Sequence, residues 1–167
     1  MRPAIRLIVI IIALGLTTPV GVAQGQVFTD PPPPLMGQQS FYLYSVPGVV
    51  SVGGLTTMFA CTNTTSASIR VGLEIFGDAG GAAYNDPSAT SLDINAGGTV
   101  RFAMRPALGF GFSGDLIAGG VNAGSARILA TAKSGIICSA FIADAGNAPP
   151  TSMAKLTVVK ATKQRGE

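Results

Sequence analysis

Between residues 41 and 161 of this 167-residue chain, apolar residues recur in short runs bounded by Gly, Asn, Asp or Pro. None of these runs keeps the three-to-four-residue spacing of a helix with one buried face. In residues 68–76 the apolar residues instead alternate, with Ile69, Val71, Leu73 and Ile75 on one side and Ser68, Arg70, Gly72 and Glu74 on the other. This alternation predicts a β-strand with one face on a core and the other in water.

The same pattern predicts eight short strands. They lie at residues 41–46, 56–63, 68–76, 91–95, 99–104, 126–132, 136–143 and 153–161. Turn residues at 95–98 and 133–135 predict that the strands on either side of each turn form a hairpin. Short strands without helices are typical of an antiparallel sandwich or small barrel, and we expect an immunoglobulin-like β-sandwich of about 7–8 strands.

Two cysteines, Cys61 and Cys138, fall within predicted strands. An even pair in an exported chain favours a disulfide over two buried thiols. A redox pair is the third alternative, but the Cys-x-x-Cys spacing of a catalytic dithiol is missing. The placement on the second and next-to-last strands resembles the inter-sheet bridge of immunoglobulin domains. The chain departs from that pattern because it has no Trp, and Ile136 stands where those domains carry a Tyr.

The N-terminal residues predict export. Arg2 and Arg6 precede an apolar run at residues 7–16, and small residues lead to Ala23, so we expect a secretory signal peptide over residues 1–23. An uncleaved anchor is the alternative, although the run is shorter than the ~18–20 residues of a spanning helix. The location is then periplasmic, extracellular or cell-surface, with no transmembrane segment in the mature chain.

Residues 24–40 include four consecutive prolines and predict an extended linker before a domain at 41–161. We expect residues 162–167 to be a basic C-terminal tail. Without Arg2 and Arg6, the 11 basic residues become nine against eight acidic ones. Because this balance is nearly neutral, we expect no nucleic-acid partner.

The residue types argue against catalysis. The chain has no His, which excludes a Ser-His-Asp triad, a Cys-His dyad and His-ligated metal sites. Residues 109–114 match G-x-G-x-x-G, but Pro106 precedes them and the glycine-rich sequence that follows disfavours the helix of a dinucleotide site. Asp78, Asn85 and Asp86 are spaced more loosely than calcium ligands, which favours a plain connecting loop. We expect no metal, no cofactor and no enzyme activity.

Two groups of apolar and aromatic residues are candidates for binding. The long segment 106–125 carries Leu108, Phe110, Phe112, Leu116 and Ile117. These side chains either cap one end of the core or form a partner-binding loop. Tyr42 and Tyr44 share one face of the first predicted strand, where they are either an aromatic platform or half-buried strand residues.

These features together predict an exported, non-enzymatic structural or interaction module at a bacterial-type surface or in the periplasm. Its partner would be a protein or a surface glycan, and the low charge of the chain also favours self-association. One alternative is a pilin-like fibre subunit assembled by strand exchange, with residues 38–46 able to serve as the donated strand. A carbohydrate-binding module or a hydrolase that uses carboxylates alone is a further alternative.

Overall fold

A computed structural model describes residues 28–106, 111, 113–116 and 118–161, and every regular element within these ranges is a β-strand. The predicted all-β class is therefore confirmed. The predicted signal peptide and basic tail lie outside the described residues. Within those residues, no helix has the length and apolar character needed to cross a membrane.

The described residues form ten strands, against the seven or eight predicted. They are β1 (Phe41–Val52), β2 (Leu55–Asn63), β3 (Ile69–Gly77), β4 (Leu92–Ile94), β5 (Thr99–Ala103), β6 (Gly114–Asp115), β7 (Val121–Ala130), β8 (Ile136–Asp144), β9 (Met153–Leu156) and β10 (Val159–Lys160). The predicted last strand is divided into β9 and β10, which pair with different neighbours. The long segment 106–125 holds β6 and the beginning of β7.

All ten strands belong to one sheet, with the order β4-β3-β7-β1-β2-β5-β6. β10 pairs with β1, while β8 lies between β2 and β9. Every pairing is antiparallel except the short β5–β6 contact. β1 and β2 pair only over two residues each next to the Gly53-Gly54 turn, where both glycines have the positive φ that a type I′ turn requires.

Beyond that turn β1 and β2 diverge, and the sheet surrounds a single main core. Phe59 of β2 and Phe102 of β5 belong to the same buried cluster as Leu73 of β3 and Ile128 of β7. Burial of these apolar side chains is the principal force that holds the two halves of the sheet together. Asn63 adds a polar link, since its Nδ2 donates to the Ile94 carbonyl at 2.9 Å.

Both predicted hairpins are wrong. β4 pairs with β3 whereas β5 pairs with β2, and β7 pairs with β1 and β3 whereas β8 pairs with β2 and β9. Each turn therefore carries the chain from one half of the sheet to the other. Gly97 and Gly135 have positive φ as expected for turns, but the same local geometry serves a hairpin and such a crossing equally well.

The prediction that one face of β3 lies in water is also wrong, because an N-terminal segment covers it. Leu35 is fully buried, and a Cβ added to Gly72 on this face would lie 2.7 Å from the Leu35 Cδ2 atom. Residues 28–40, the described part of the predicted linker, thus contribute to the packing of β3. Gly72 has no side chain, and this allows the segment to approach β3 so closely.

Replacing Leu35 by Ala should lower the free energy of unfolding by about 2–3 kcal/mol, because it leaves a cavity between the segment and β3. Chemical denaturation would measure the change. Met36→Ala is the matched control, since Met36 is 62% exposed and Leu35 is 0% exposed. Equal stability of the two variants would contradict a structural role for the segment.

Candidate functional site

The disulfide lies between neighbouring strands. Cys61 of β2 and Cys138 of β8 are bonded and stand directly opposite each other, with their Cα atoms 4.2 Å apart. The predicted pairing is therefore present, but the resemblance to the inter-sheet bridge of immunoglobulin domains is wrong. The bond joins two paired strands of the same half of the sheet rather than two facing layers.

The first half of β8 has a strand neighbour on one side only. β2 pairs with the whole of β8, whereas β9 pairs only with Ala140–Ala143. After Leu156 the chain leaves β8, and Val159 and Lys160 pair with β1 instead. Among the described residues, no strand pairs with residues 136–139 on this second side, which we call the open edge of β8.

Two shallow depressions follow the open edge, with volumes of about 520 and about 230 Å³. The larger is lined by Cys138, Ser139, Lys155, Leu156, Thr157 and Val158. The smaller is lined by Leu43, Tyr44, Thr64, Lys133, Ser134, Gly135, Ile136, Ile137 and Lys160. Cys138 and Ser139 thus border one depression, and Ile136 and Ile137 border the other.

The disulfide indicates which backbone groups face this space. Directly opposite residues about 4.5 Å apart form the pair of an antiparallel ladder that does not exchange hydrogen bonds, so their N–H and C=O groups point away from each other. The 4.2 Å separation places Cys138 in such a pair. Two residues earlier, the Ile136 carbonyl accepts a hydrogen bond of 2.6 Å from the Tyr44 hydroxyl across the gap. The backbone N–H and C=O groups of Cys138 thus point out from the open edge, where another strand could pair with them.

The surroundings of the open edge are positively charged. Lys133, Lys155 and Lys160, all exposed, are the three lysines of the described residues, and all line the two depressions. Lys133 also lies 5.0 Å from the centre of the Phe41 ring. In the part of the chain that the structure describes, no acidic side chain lines either depression. An extended chain that entered here would meet a positive potential.

The turn between β8 and β9 is organised by Asp144. Its Oδ2 accepts hydrogen bonds from the Thr151 hydroxyl at 2.8 Å, the Thr151 amide at 2.6 Å and the Ser152 amide at 2.9 Å. These bonds lower the pKa of Asp144 to about 2, and the bond from the Thr151 hydroxyl has the largest effect. The ionised carboxylate therefore holds the turn that determines where β9 begins to cover β8.

A buried ion pair lies under the N-terminal segment, on the outer face of β3 and β7. Glu74 and Arg127 are 0% and 1% exposed, and the Arg127 Nε donates to Glu74 Oε2 at 2.8 Å. The Arg127 Nη1 donates to the carbonyls of Phe28 and Asp30 at 2.8 and 2.6 Å. Its guanidinium also lies 5.3–5.8 Å from three ring centres, those of Phe28, Tyr42 and Phe76.

This pair is buried away from bulk solvent, which alters the acidity of the carboxyl group. Burial raises the pKa of Glu74 above its ordinary value of 4.5, and the charge and hydrogen bond of Arg127 offset part of that rise. Arg127 binds the segment through two backbone carbonyls. The arrangement attaches residues 28–30 to the domain, so we assign it a structural role.

The predicted aromatic platform is not assembled on one face. Tyr42 pairs with Leu129 and Tyr44 with Ile128, so the strand carries an extra residue between them. The Tyr42 ring lies beside Arg127, whereas Tyr44 packs against the core cluster and reaches Ile136. The two rings thus serve different parts of the molecule.

The predicted binding loop is described only in part. Leu116 is fully buried in the main core. Leu108, Phe110, Phe112 and Ile117 lie outside the described residues. Of the two alternatives for this segment, the buried position of Leu116 agrees with capping of the core, and it does so for this side chain alone.

The oxygen-rich segment after β3 makes internal contacts. The Asn85 side chain accepts from the Ile75 amide at 2.9 Å and donates to the Leu73 carbonyl at 2.8 Å, so it extends the ladder along the edge of β3. Asp86 accepts from the Ser88 amide at 2.8 Å. Within the described part of the chain, no group of three His, Cys, Asp or Glu residues is placed to hold a metal ion.

Comparison with family models, curated proteins and solved structures found no match for this chain. The open edge of β8 was not anticipated from the sequence, because an unpaired strand and a paired one have the same alternating pattern. The only sequence signal near it was the set of lysines. Chemically, an unpaired strand edge flanked by cations can bind an extended polypeptide through its backbone.

Proposed function

We propose that this protein is an exported, non-enzymatic interaction module of the periplasm or cell surface, and that it binds an extended segment of a partner protein at the open edge of β8. The observation that carries this proposal is the pairing of residues 136–139 on one side only. Strand addition to an exposed edge gives affinity through backbone hydrogen bonds and needs no catalytic group.

Export and architecture belong to the same proposal. A disulfide-bonded all-β chain is compatible with an oxidising compartment, and residues 1–23 have the layout of a signal peptide. We infer that the sheet is a sandwich of the general immunoglobulin-like type, with β4-β3-β7-β1-β10 facing β6-β5-β2-β8-β9. The shared core between these two sets of strands supports this inference.

A fibre subunit assembled by strand exchange is the second candidate, because the open edge of β8 is also a place where a donated strand could pair. The donor suggested by the sequence, residues 38–46, is less suitable than expected. Residues 41–46 already pair with β7 of their own sheet. Sedimentation of the purified protein separates the candidates, since a monomer at high concentration contradicts a self-assembling fibre.

The test is affinity capture from the native envelope or medium, with the exported protein immobilised. Ile137 is 59% exposed on β8 beside the gap, and Ile137→Asn should weaken capture about fivefold through loss of an apolar contact. Met153→Asn is the matched control, because Met153 is 62% exposed on β9 and lines neither depression. The bound partner should also slow hydrogen exchange at the Cys138 amide.

Capture that is equally strong in both variants, or that leaves exchange of the Cys138 amide unchanged, would contradict binding at the open edge. Turnover of peptide or glycan substrates by the purified protein would contradict the non-enzymatic assignment. Ile137 and Met153 are both exposed, so neither substitution removes a buried side chain.

A further inference from the structure

We infer that the partner segment is an acidic, extended polypeptide that adds to residues 136–139 of β8 as a new strand. This inference rests on the proposed function and specifies its ligand. The binding groups are the backbone of the open edge and the three lysines beside it. Neither group alone would select a partner, because backbone pairing ignores sequence and isolated surface lysines bind weakly.

Beyond the end of β9, the side of β8 has a gap of the length of one short strand. β9 runs antiparallel to β8 and ends where Leu156 faces Ala140. A chain that continued on the line of β9 would next face Cys138, over a line of about 13 Å for four residues. It would then reach Ile136, whose carbonyl already accepts a hydrogen bond from the Tyr44 hydroxyl. The protein does not use this line itself, because Val159 and Lys160 pair with β1. An incoming segment can therefore complete the row that β9 begins.

The charges favour an acidic occupant over the other chains that could pair here. Lys155 borders the line at the β9 end, while Lys133 and Lys160 border it at the other end. Carboxylates alternating along the new strand would come within reach of these ammonium groups. The predicted C-terminal tail is itself basic, with Lys163 and Arg165, so it would be repelled from the same place.

A second copy of the chain is disfavoured for the same reason. Two-fold pairing of one β8 edge with another would bring identical surfaces together. The three lysines of each copy would then face those of the other across a narrow contact, with no acidic side chain lining the depressions to compensate them. Like charges that face each other across an interface oppose association.

Three synthetic peptides of about ten residues test the inference. In each peptide, Val or Thr alternates with a second residue, and this second residue differs between the peptides. The second residue is Glu in the first peptide, Gln in the second and Lys in the third. Binding is followed by fluorescence anisotropy with the peptide labelled, and strand addition by hydrogen exchange at Cys138. The Glu peptide should bind at least about tenfold more tightly than the Gln peptide and weaken with added salt.

Charge reversal identifies the residues responsible. Lys155→Glu combined with Lys160→Glu should weaken binding of the Glu peptide at least about tenfold. Arg101→Glu combined with Arg105→Glu is the control, because it changes the net charge equally on and just beyond β5, away from the gap. Melting temperatures of both variants verify that they remain folded.

The outcomes separate this inference from the proposed function. Protection of Cys138 by the Gln or Lys peptide as strongly as by the Glu peptide overturns the acidic ligand but leaves edge binding intact. Failure of all three peptides to protect Cys138 overturns both. Equal loss of binding in the two charge-reversed variants, or salt-independent binding, also overturns the role of the lysines.

Discussion

Replacing both Cys61 and Cys138 by Ala is expected to lower the free energy of unfolding by about 4.5 kcal/mol at 25 °C. The disulfide closes a loop across a sequence separation of 77 residues. In the chain-entropy description, loss of the bond returns conformational freedom to the unfolded chain and so favours unfolding. Denaturation in guanidinium chloride, with oxidised wild-type protein as reference, measures the difference.

Reduced wild-type protein is the control for this prediction, because it lacks the bond but keeps the sulfur atoms that fill the core around Cys61. Its stability should fall close to that of the double variant. Two titratable thiols in the unreduced, denatured protein would contradict the bond itself. A double variant as stable as the oxidised protein would contradict its contribution to folding.

Replacing Arg127 by Met is expected to cost about 3–5 kcal/mol, because it leaves the Glu74 carboxylate buried without its counter-charge. Adding Glu74→Leu should recover most of that loss, since two apolar side chains can occupy the site without a desolvation cost. The partly exposed pair Arg70–Asp93 supplies the control. Arg70→Met should cost clearly less than Arg127→Met, because Asp93 is 53% exposed and stays hydrated when it loses its partner.

The Arg127→Met variant should also show an altered pH dependence. Burial raises the pKa of Glu74 above 4.5, and the variant loses the arginine that opposes the rise. A carboxyl group with a raised pKa in the folded state binds its proton more tightly there than in the unfolded chain, so stability falls as the pH rises from 4.5 through the folded-state pKa. The stability that Arg127→Met loses relative to the wild type should therefore be smallest below pH 4.5, where Glu74 is protonated in both the folded and the unfolded state.

Denaturation curves at several pH values measure this effect. A deficit in Arg127→Met that stays constant from acid to neutral pH would contradict a buried, unpaired Glu74 carboxylate. The variant that also carries Glu74→Leu should lose the pH dependence, because the titrating group has been removed. Persistence of the dependence in that variant would assign it to another carboxyl group.

The buried ion pair and the segment that covers it were harder to predict from the sequence than the fold class. Glu74 and Arg127 stand on strands that carry other polar residues, and the alternation of residues 68–76 suggested that Glu74 faced water. The covering residues, Phe28 and Leu35, lie in a proline-rich segment whose composition indicated a linker. Whether such a segment extends into solvent or packs on a sheet depends on a surface that exists only after folding.

The local features of this protein were determined by its sequence. Alternation at residues 68–76 and turn residues at 95–98 and 133–135 established an all-β chain, because side-chain direction and backbone φ depend on neighbouring residues. Strand partnership was decided only by the tertiary structure. Every strand offers the same backbone donors and acceptors, so burial of one common core selected which strands paired. That selection turned the predicted hairpins into crossings and left residues 136–139 of β8 with an open edge.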